Sequence, residues 1–284
     1  MSTLIIIGLL LNLVFTYKVT KNHNSYHIII WIGCNKYLKL YICVVFLLLA
    51  LLIVRMALCK DVPWWNTHTL LPFKPQSSIC VVGCTGSGKT YWTFKFLKSL
   101  KGMFDKDPPH TVIYCYGVWQ SLFNDMEKDV PNIIMHEGLP TRETIDEICA
   151  NGKHNLIVID DLIDQMVKSP DMELLLTQGC HHKKFSVVYL TQNLYQSGKN
   201  ARTIALNTWY LVLFKNLRDA SQITHLAKQM YPGQGSILKE SYEDATKVPY
   251  GYLVIDSSPQ ANIKYRLRTH IFPGEDCIVY VPRV

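Results

Sequence analysis

The first sixty residues contain no Asp or Glu to balance Lys18, Lys21, Lys36, Lys39, Arg55 and Lys60. Elsewhere the remaining 23 of the chain's 29 Lys and Arg face all 22 of its acids, so the rest of the protein is close to neutral. The net charge of +7 therefore belongs mostly to one end, and bulk charge argues neither for nor against a nucleic-acid partner. The nine cysteines form no CxxC pair and are odd in number, which counts against a disulfide framework. Several lie in apolar runs such as SICVVG and VIYCYG, where Cys acts as a small hydrophobe, and a reducing compartment is expected. No repeat of 20–50 residues is present. A composition 49% hydrophobic and 18% charged excludes a disordered, collagen-like or low-complexity chain.

The N-terminal sixty residues hold two apolar runs, 4–15 (LIIIGLLLNLVF) and 41–54 (YICVVFLLLALLIV), the second continuing past Arg55 to Cys59. A spanning helix needs about 20 apolar residues, so the first run is short and the second marginal. No Lys or Arg precedes the first run and no A-x-A follows it, which fits a signal peptide poorly. The four lysines between the runs would put that loop in the cytosol and the body of the protein outside, against the reducing compartment that the cysteines suggest. A membrane anchor and a buried or dispensable extension both stay open. From Asp61, DVPWW and LPFKPQSS read as a linker over 61–76.

Beyond it, short apolar runs alternate with amphipathic segments. Strands are expected at 78–82, 111–116, 132–135, 155–160, 186–191, 209–214 and 251–255, with further β structure at 263–272 and 277–281 at a sheet edge. Helices are expected at 88–101, 119–128, 141–150, 170–179, 219–230 and 236–246, with Thr141 as an N-cap. Strands apolar on both faces suit a covered parallel sheet, so residues 77–284 are expected to form an α/β three-layer sandwich.

Gly83, Cys84, Thr85, Gly86, Ser87, Gly88, Lys89 and Thr90 match G-x-x-x-x-G-K-[ST]. In that pattern the glycines let successive backbone N–H groups turn toward phosphates, the Lys reaches the β/γ oxygens and the Thr hydroxyl ligates Mg²⁺. The apolar SICVV before it and YWTFKFLKSL after it supply the strand–loop–helix context the pattern requires. ATP and Mg²⁺ are therefore the expected cofactors.

A second apolar run ends in two acids, LIVIDD. Asp160 is expected to hold Mg²⁺ through water. Asp161 is expected to polarise the attacking water, at a position where many such ATPases carry Glu. Asp164 reads as a solvated loop or cap residue. The next run, SVVYLTQN, ends in a polar cluster from which Gln192 is expected to contact the γ-phosphate or the water.

The order GCTGSGKT, LIVIDD, VVYLTQN and KNARTIALNTWYLVLFKNLRD resembles the FtsK–HerA superfamily of DNA-pumping ATPases. It is most similar to the poxvirus-type genome-packaging ATPases, and among those to the ones of Maverick/Polinton elements and adintovirus-like animal viruses. The resemblance covers about residues 70–260; residues 1–60 lie outside it. It implies a RecA/FtsK-like P-loop NTPase fold, ATP hydrolysis coupled to movement of double-stranded DNA, and a homo-oligomeric, hexameric ring. It also implies capsid or portal-vertex partners and a location in the host-cell interior or the virion, where residues 1–60 could meet a membrane. Such rings need a cation from one subunit at the γ-phosphate of the next, and Arg202 and Arg218 are the candidates, Arg202 preferred.

Cys180–Lys184 (CHHKK) has no partner cluster at zinc spacing and reads as a solvated helix end or a basic loop touching DNA phosphates. A membrane-anchored P-loop enzyme of another class, such as a small-molecule kinase, and a non-catalytic nucleotide-binding assembly protein are the competing readings. The chain has no HRD catalytic loop, which argues against a protein kinase.

Overall fold

The computed structural model describes residues 5–8, 13–22, 25–31, 68–174, 176 and 183–282. The chain divides into two compact units, Met1–Val62 and Pro63–Val284.

In the first unit, β1 (Ile5–Gly8), β2 (Leu13–Asn22) and β3 (Ser25–Trp31) form an antiparallel sheet in that order. Ile5 pairs with Thr16, and Asn22 pairs with Ser25 across a two-residue connection. The described part of the first apolar run, already short for a spanning helix, is thus extended. Its β-branched residues suit a pleated surface better than a helix. No helix among the described residues is long and apolar enough to cross a membrane. The run at 41–54 lies outside the described residues.

The second unit is an α/β structure around a nine-stranded mixed sheet. Its strands are β4 (Ser78–Val82), β5 (Thr111–Tyr116), β6 (Ile133–Glu137), β7 (Asn155–Asp160), β8 (Phe185–Thr191), β9 (Tyr210–Phe214), β10 (Tyr252–Asp256), β11 (Leu267–Thr269) and β12 (Ile278–Tyr280). Their order is β6-β5-β7-β8-β4-β9-β10-β11-β12. The first six are parallel, and the last three add on antiparallel at one edge.

Each central strand alternates between two apolar cores, as a sheet covered on both faces must. Ile79 and Val81 face a core with Val112, Tyr114, Val158 and Val188. That side is covered by α1 (Lys89–Lys98), α2 (Leu100–Met103) and α3 (Leu122–Asp129), through residues such as Trp92, Phe96 and Phe123. Cys80 and Val82 face the other core, beside Ile157, Ile159 and Val187. There α4 (Arg142–Cys149), α5 (Ile163–Met166), α6 (Pro170–Leu174), α7 (Ala201–Leu206), α8 (Ser221–Met230) and α9 (Ser236–Ala245) supply Ile145, Met166, Met172, Ile204, Leu226 and Leu238.

The Thr141 cap is present, accepting from the Thr144 backbone N–H at 3.2 Å. Residues 201–206, at under two turns too short to register as a helical period, are nonetheless helical. Of the expected linker 61–76, the described part from His68 onward is packed against the second unit's core through Phe73. Phe73 is fully buried, edge-on to Tyr210 and Phe96, and its N–H donates to the Met103 carbonyl at 2.8 Å. One large ring between two prolines is enough to anchor the segment in the core. Cys80 and Cys115 are buried free thiols, as their apolar surroundings suggested.

Candidate functional site

Parallel strands present their C-terminal ends along one edge of the sheet, where the connecting loops build concave sites. The loop Gly83–Gly88 leaves β4 at that edge. The Gly83 N–H donates to the Thr191 carbonyl at 3.1 Å, extending the β4–β8 ladder one step past the Val82–Thr191 pair. A Cβ on Gly83 would lie 2.4 Å from Ser87 Oγ and 2.8 Å from Phe214 Cβ, so only glycine fits there. Gly86 and Gly88 have φ of +78° and +98°, the left-handed region that L side chains avoid. The Ser87 N–H closes the curl onto the Cys84 carbonyl at 3.1 Å.

Helix α1 starts directly from Gly88 with no side-chain cap and no acid in its first turn, so its leading N–H groups lack intrahelical acceptors. Lys89 folds back over the loop, donating to the carbonyls of Gly83 at 2.6 Å and Cys84 at 3.1 Å. Burial pulls its ammonium below the ordinary lysine pKa, and the nearby charge of Asp160 opposes that shift. The Ser87 hydroxyl is buried with no partner among the described residues.

Two strands away, Asp160 closes β7 and is almost completely buried. Its Oδ2 accepts from Tyr114 OH at 2.7 Å and faces Thr90 Oγ1 at 3.5 Å. Burial raises its carboxyl pKa above the ordinary value, against the hydrogen bond from Tyr114 and the charge of Lys89. Asp161 is exposed and has φ of +59°, the left-handed region, which among L residues aspartate tolerates better than most. Between β4 and β7 lies β8, so Thr191, Gln192 and Asn193 emerge between the glycine loop and the two acids. Gln196 braces this turn, donating to Thr191 Oγ1 and to the Asn193 carbonyl.

One cavity of about 570 Å³ brings these groups together. Thr85, Gly86, Gly88, Lys89 and Thr90 form one wall, and Asp160, Asp161, Asp164, Gln192 and Asn193 another. Lys89 is the one cation lining it among the described residues. Asp164, read as a solvated cap, lies in the first turn of α5 and lines the cavity too. Gln120 and Gln196 also line it and were missed in the sequence, where neither belongs to a motif. Tyr114, the anchor of Asp160, was hidden in an apolar strand. The one available signal was that a buried Tyr hydroxyl needs a partner.

Arg202, second residue of α7, and Arg218, in the loop after β9, are exposed and do not line this cavity. In the FKNLRD segment, Asn216 Oδ1 accepts from the N–H groups of Arg218 and Asp219, and Asp219 Oδ1 accepts from the N–H of Ser221, the first residue of α8. Cys180, His181 and His182 lie outside the described residues. Lys183 pairs with Asp146, and both Lys183 and Lys184 precede β8, at the opposite edge of the sheet from the cavity.

A wall of backbone donors and one ammonium facing a buried carboxylate and a hydroxyl can accept a polyphosphate with a divalent cation. No cluster of three or more His, Cys, Asp or Glu among the described residues could hold a metal by itself. Thr90 and Asp160 offer two hard oxygens side by side, which suits Mg²⁺, a cation that completes its shell with water and ligand oxygens. The partnerless Ser87 hydroxyl and the curl that excludes a Cβ at Gly83 fit a bound phosphate equally well. No protein-family model matches the chain, and no curated protein matches it.

Proposed function

We propose that the second unit is a P-loop NTPase of the RecA/FtsK-like kind that hydrolyses Mg·ATP and, as a ring, moves double-stranded DNA into a capsid. The observation that carries the ATPase part is the convergence of Thr85, Gly86, Gly88, Lys89 and Thr90 with Asp160, Asp161 and Gln192 on one cavity, from strands in the order β4-β8-β7. The DNA-packaging part rests on the sequence resemblance of the TQN, NARTIALN and FKNLRD segments.

In this reading the loop N–H groups and Lys89 hold the β- and γ-phosphates and match the charge that develops during transfer. Thr90 and Asp160 are the residues to hold Mg²⁺, which when bound supplies charge neutralisation between the phosphates. Asp161 takes the proton of the attacking water and Gln192 orients that water. Among the described residues no second cation lines the cavity, and a neighbouring subunit's Arg202 or Arg218, both exposed, supplies it. Capsid or portal proteins are the assembly partners in this reading, and residues 1–60 carry any membrane contact.

The test is ATP turnover by the full chain, with and without duplex DNA, for wild type and Lys89→Ala. DNA should stimulate turnover regardless of sequence, the stimulation should fade with salt, and Lys89→Ala should abolish hydrolysis. Turnover by Lys89→Ala within about twofold of wild type would remove the nucleotide assignment. Preference for one short DNA site persisting at high salt would replace the translocase with a sequence-specific regulator.

A further inference from the structure

Beside the main cavity, on the β9–β10 side of the glycine loop, lies a second one of about 460 Å³ walled largely by aromatic rings. Tyr91, Trp92, Phe214, Tyr250 and Tyr252 line it. It shares Gly88 and Tyr91 with the main cavity, so the two adjoin at the first turn of α1. A ligand whose phosphates occupy the loop and whose other end is flat and apolar could span both.

Tyr250 stands out in this wall. Its ring lies against the loop itself: a Cβ on Gly88 would sit 3.0 Å from its Cδ1. It is nevertheless 71% exposed. The Gly251 N–H donates to the Val248 carbonyl at 3.1 Å, with Pro249 second in the turn and Tyr250 third at φ +61°. These are features of a type II turn, whose third position favours Gly. A bulky aromatic held there gains neither burial nor a comfortable backbone, and such strain persists typically where a function selects the side chain. Tyr91, 67% exposed on the first turn of α1, faces the same space.

Resting on the nucleotide reading above, we propose that this aromatic cavity takes the base of the bound nucleotide, stacked on Tyr250 with Tyr91 as the other wall. Stacking needs a π-face and little edge recognition, which matches a wall rich in rings.

Binding of AMP-PNP and of inorganic tripolyphosphate to the full chain tests this, for wild type, Tyr250→Phe and Tyr250→Gly. Glycine suits the positive φ, so Tyr250→Gly should melt no lower than wild type. It should bind AMP-PNP about tenfold more weakly, the scale of one base–aromatic stack, and bind tripolyphosphate unchanged. Tyr250→Phe should hold AMP-PNP within about twofold. Unchanged AMP-PNP affinity in Tyr250→Gly overturns the proposal. Equal loss of both probes also overturns it, since Tyr250 would then brace the loop rather than the base. A wild-type chain that binds tripolyphosphate no better than Lys89→Ala overturns the nucleotide reading, and this inference with it.

Discussion

The hydroxyl of Tyr114 donates to Asp160 Oδ2 at 2.7 Å, joining the middle of β5 to the end of the neighbouring strand β7. The same oxygen faces Thr90, so one buried tyrosine sets the direction of the carboxylate toward the glycine loop. Removing that hydroxyl leaves a buried charged acceptor one donor short. Tyr114→Phe should lower stability by about 1–3 kcal/mol and weaken Mg²⁺-dependent ATP binding, with little effect on tripolyphosphate binding in EDTA. Thermal melts and titrations with and without Mg²⁺ check this. An unchanged Mg²⁺ dependence would show that Tyr114 only packs.

Asp160 carries a pH signature of its own. Burial raises its folded pKa above the ordinary 3.8, so the folded state holds this proton more tightly than the unfolded state. The resulting instability is absent below pH 3.8, grows as pH rises through the raised folded value, and is constant above it. Asp160→Asn should therefore raise the melting temperature at pH 7.5 and lose that advantage toward pH 4, while Mg·ATP binding falls. Melting curves of the two proteins across pH decide it; a difference that widens on acidification would contradict the burial argument.

Asp161 tests the proposed base with little effect on the fold. Its φ of +59° is tolerated by both aspartate and glycine, so Asp161→Gly should leave stability within about 1 kcal/mol of wild type. If the carboxylate takes the proton from water, both Asp161→Gly and Asp161→Asn should keep ATP affinity and lower kcat by about 10²-fold or more. Single-turnover hydrolysis beside Gln192→Ala separates the roles. Near-normal rates in both Asp161 variants, with loss in Gln192→Ala, would transfer the water to Gln192.

Gly83 has no room for a methyl group between Ser87 and Phe214. Gly83→Ala should destabilise the protein by about 1–3 kcal/mol and shift the loop enough to weaken phosphate binding. By contrast, Gly138 has open space around it and a φ of +80°, so its alanine variant should show backbone strain alone and leave phosphate binding intact. Parallel melts and tripolyphosphate titrations distinguish the two. Equal loss of binding would mean that the loop responds to global stability and not to the clash.

Much of the second unit was legible along the chain because its determinants are local. Runs such as SICVV and LIVID are apolar at every position, which demands cover on both faces, and the glycines at 83, 86 and 88 announce a curled loop before a helix. The acids at 160 and 161 and the amide at 192 were marked by polar residues ending apolar runs. Periodicity reports that a residue is buried but not which neighbour it meets. The insertion of β8 between β4 and β7, which brings Gln192 between loop and acids, depends on β8 pairing with β4, more than a hundred residues earlier in the chain, as well as with the nearer β7. The Tyr114–Asp160 bond, the burial of Phe73 and the seat of Tyr250 against Gly88 likewise depend on long-range packing. The left-handed backbone at Tyr250 left no trace in residue type, since a tyrosine rarely adopts it, whereas Asp161 is of a type that does; at Tyr250 the surrounding fold imposes it. In the first unit, a run of isoleucines and leucines is equally apolar as helix or strand, and its pairing with β2 resolves the choice.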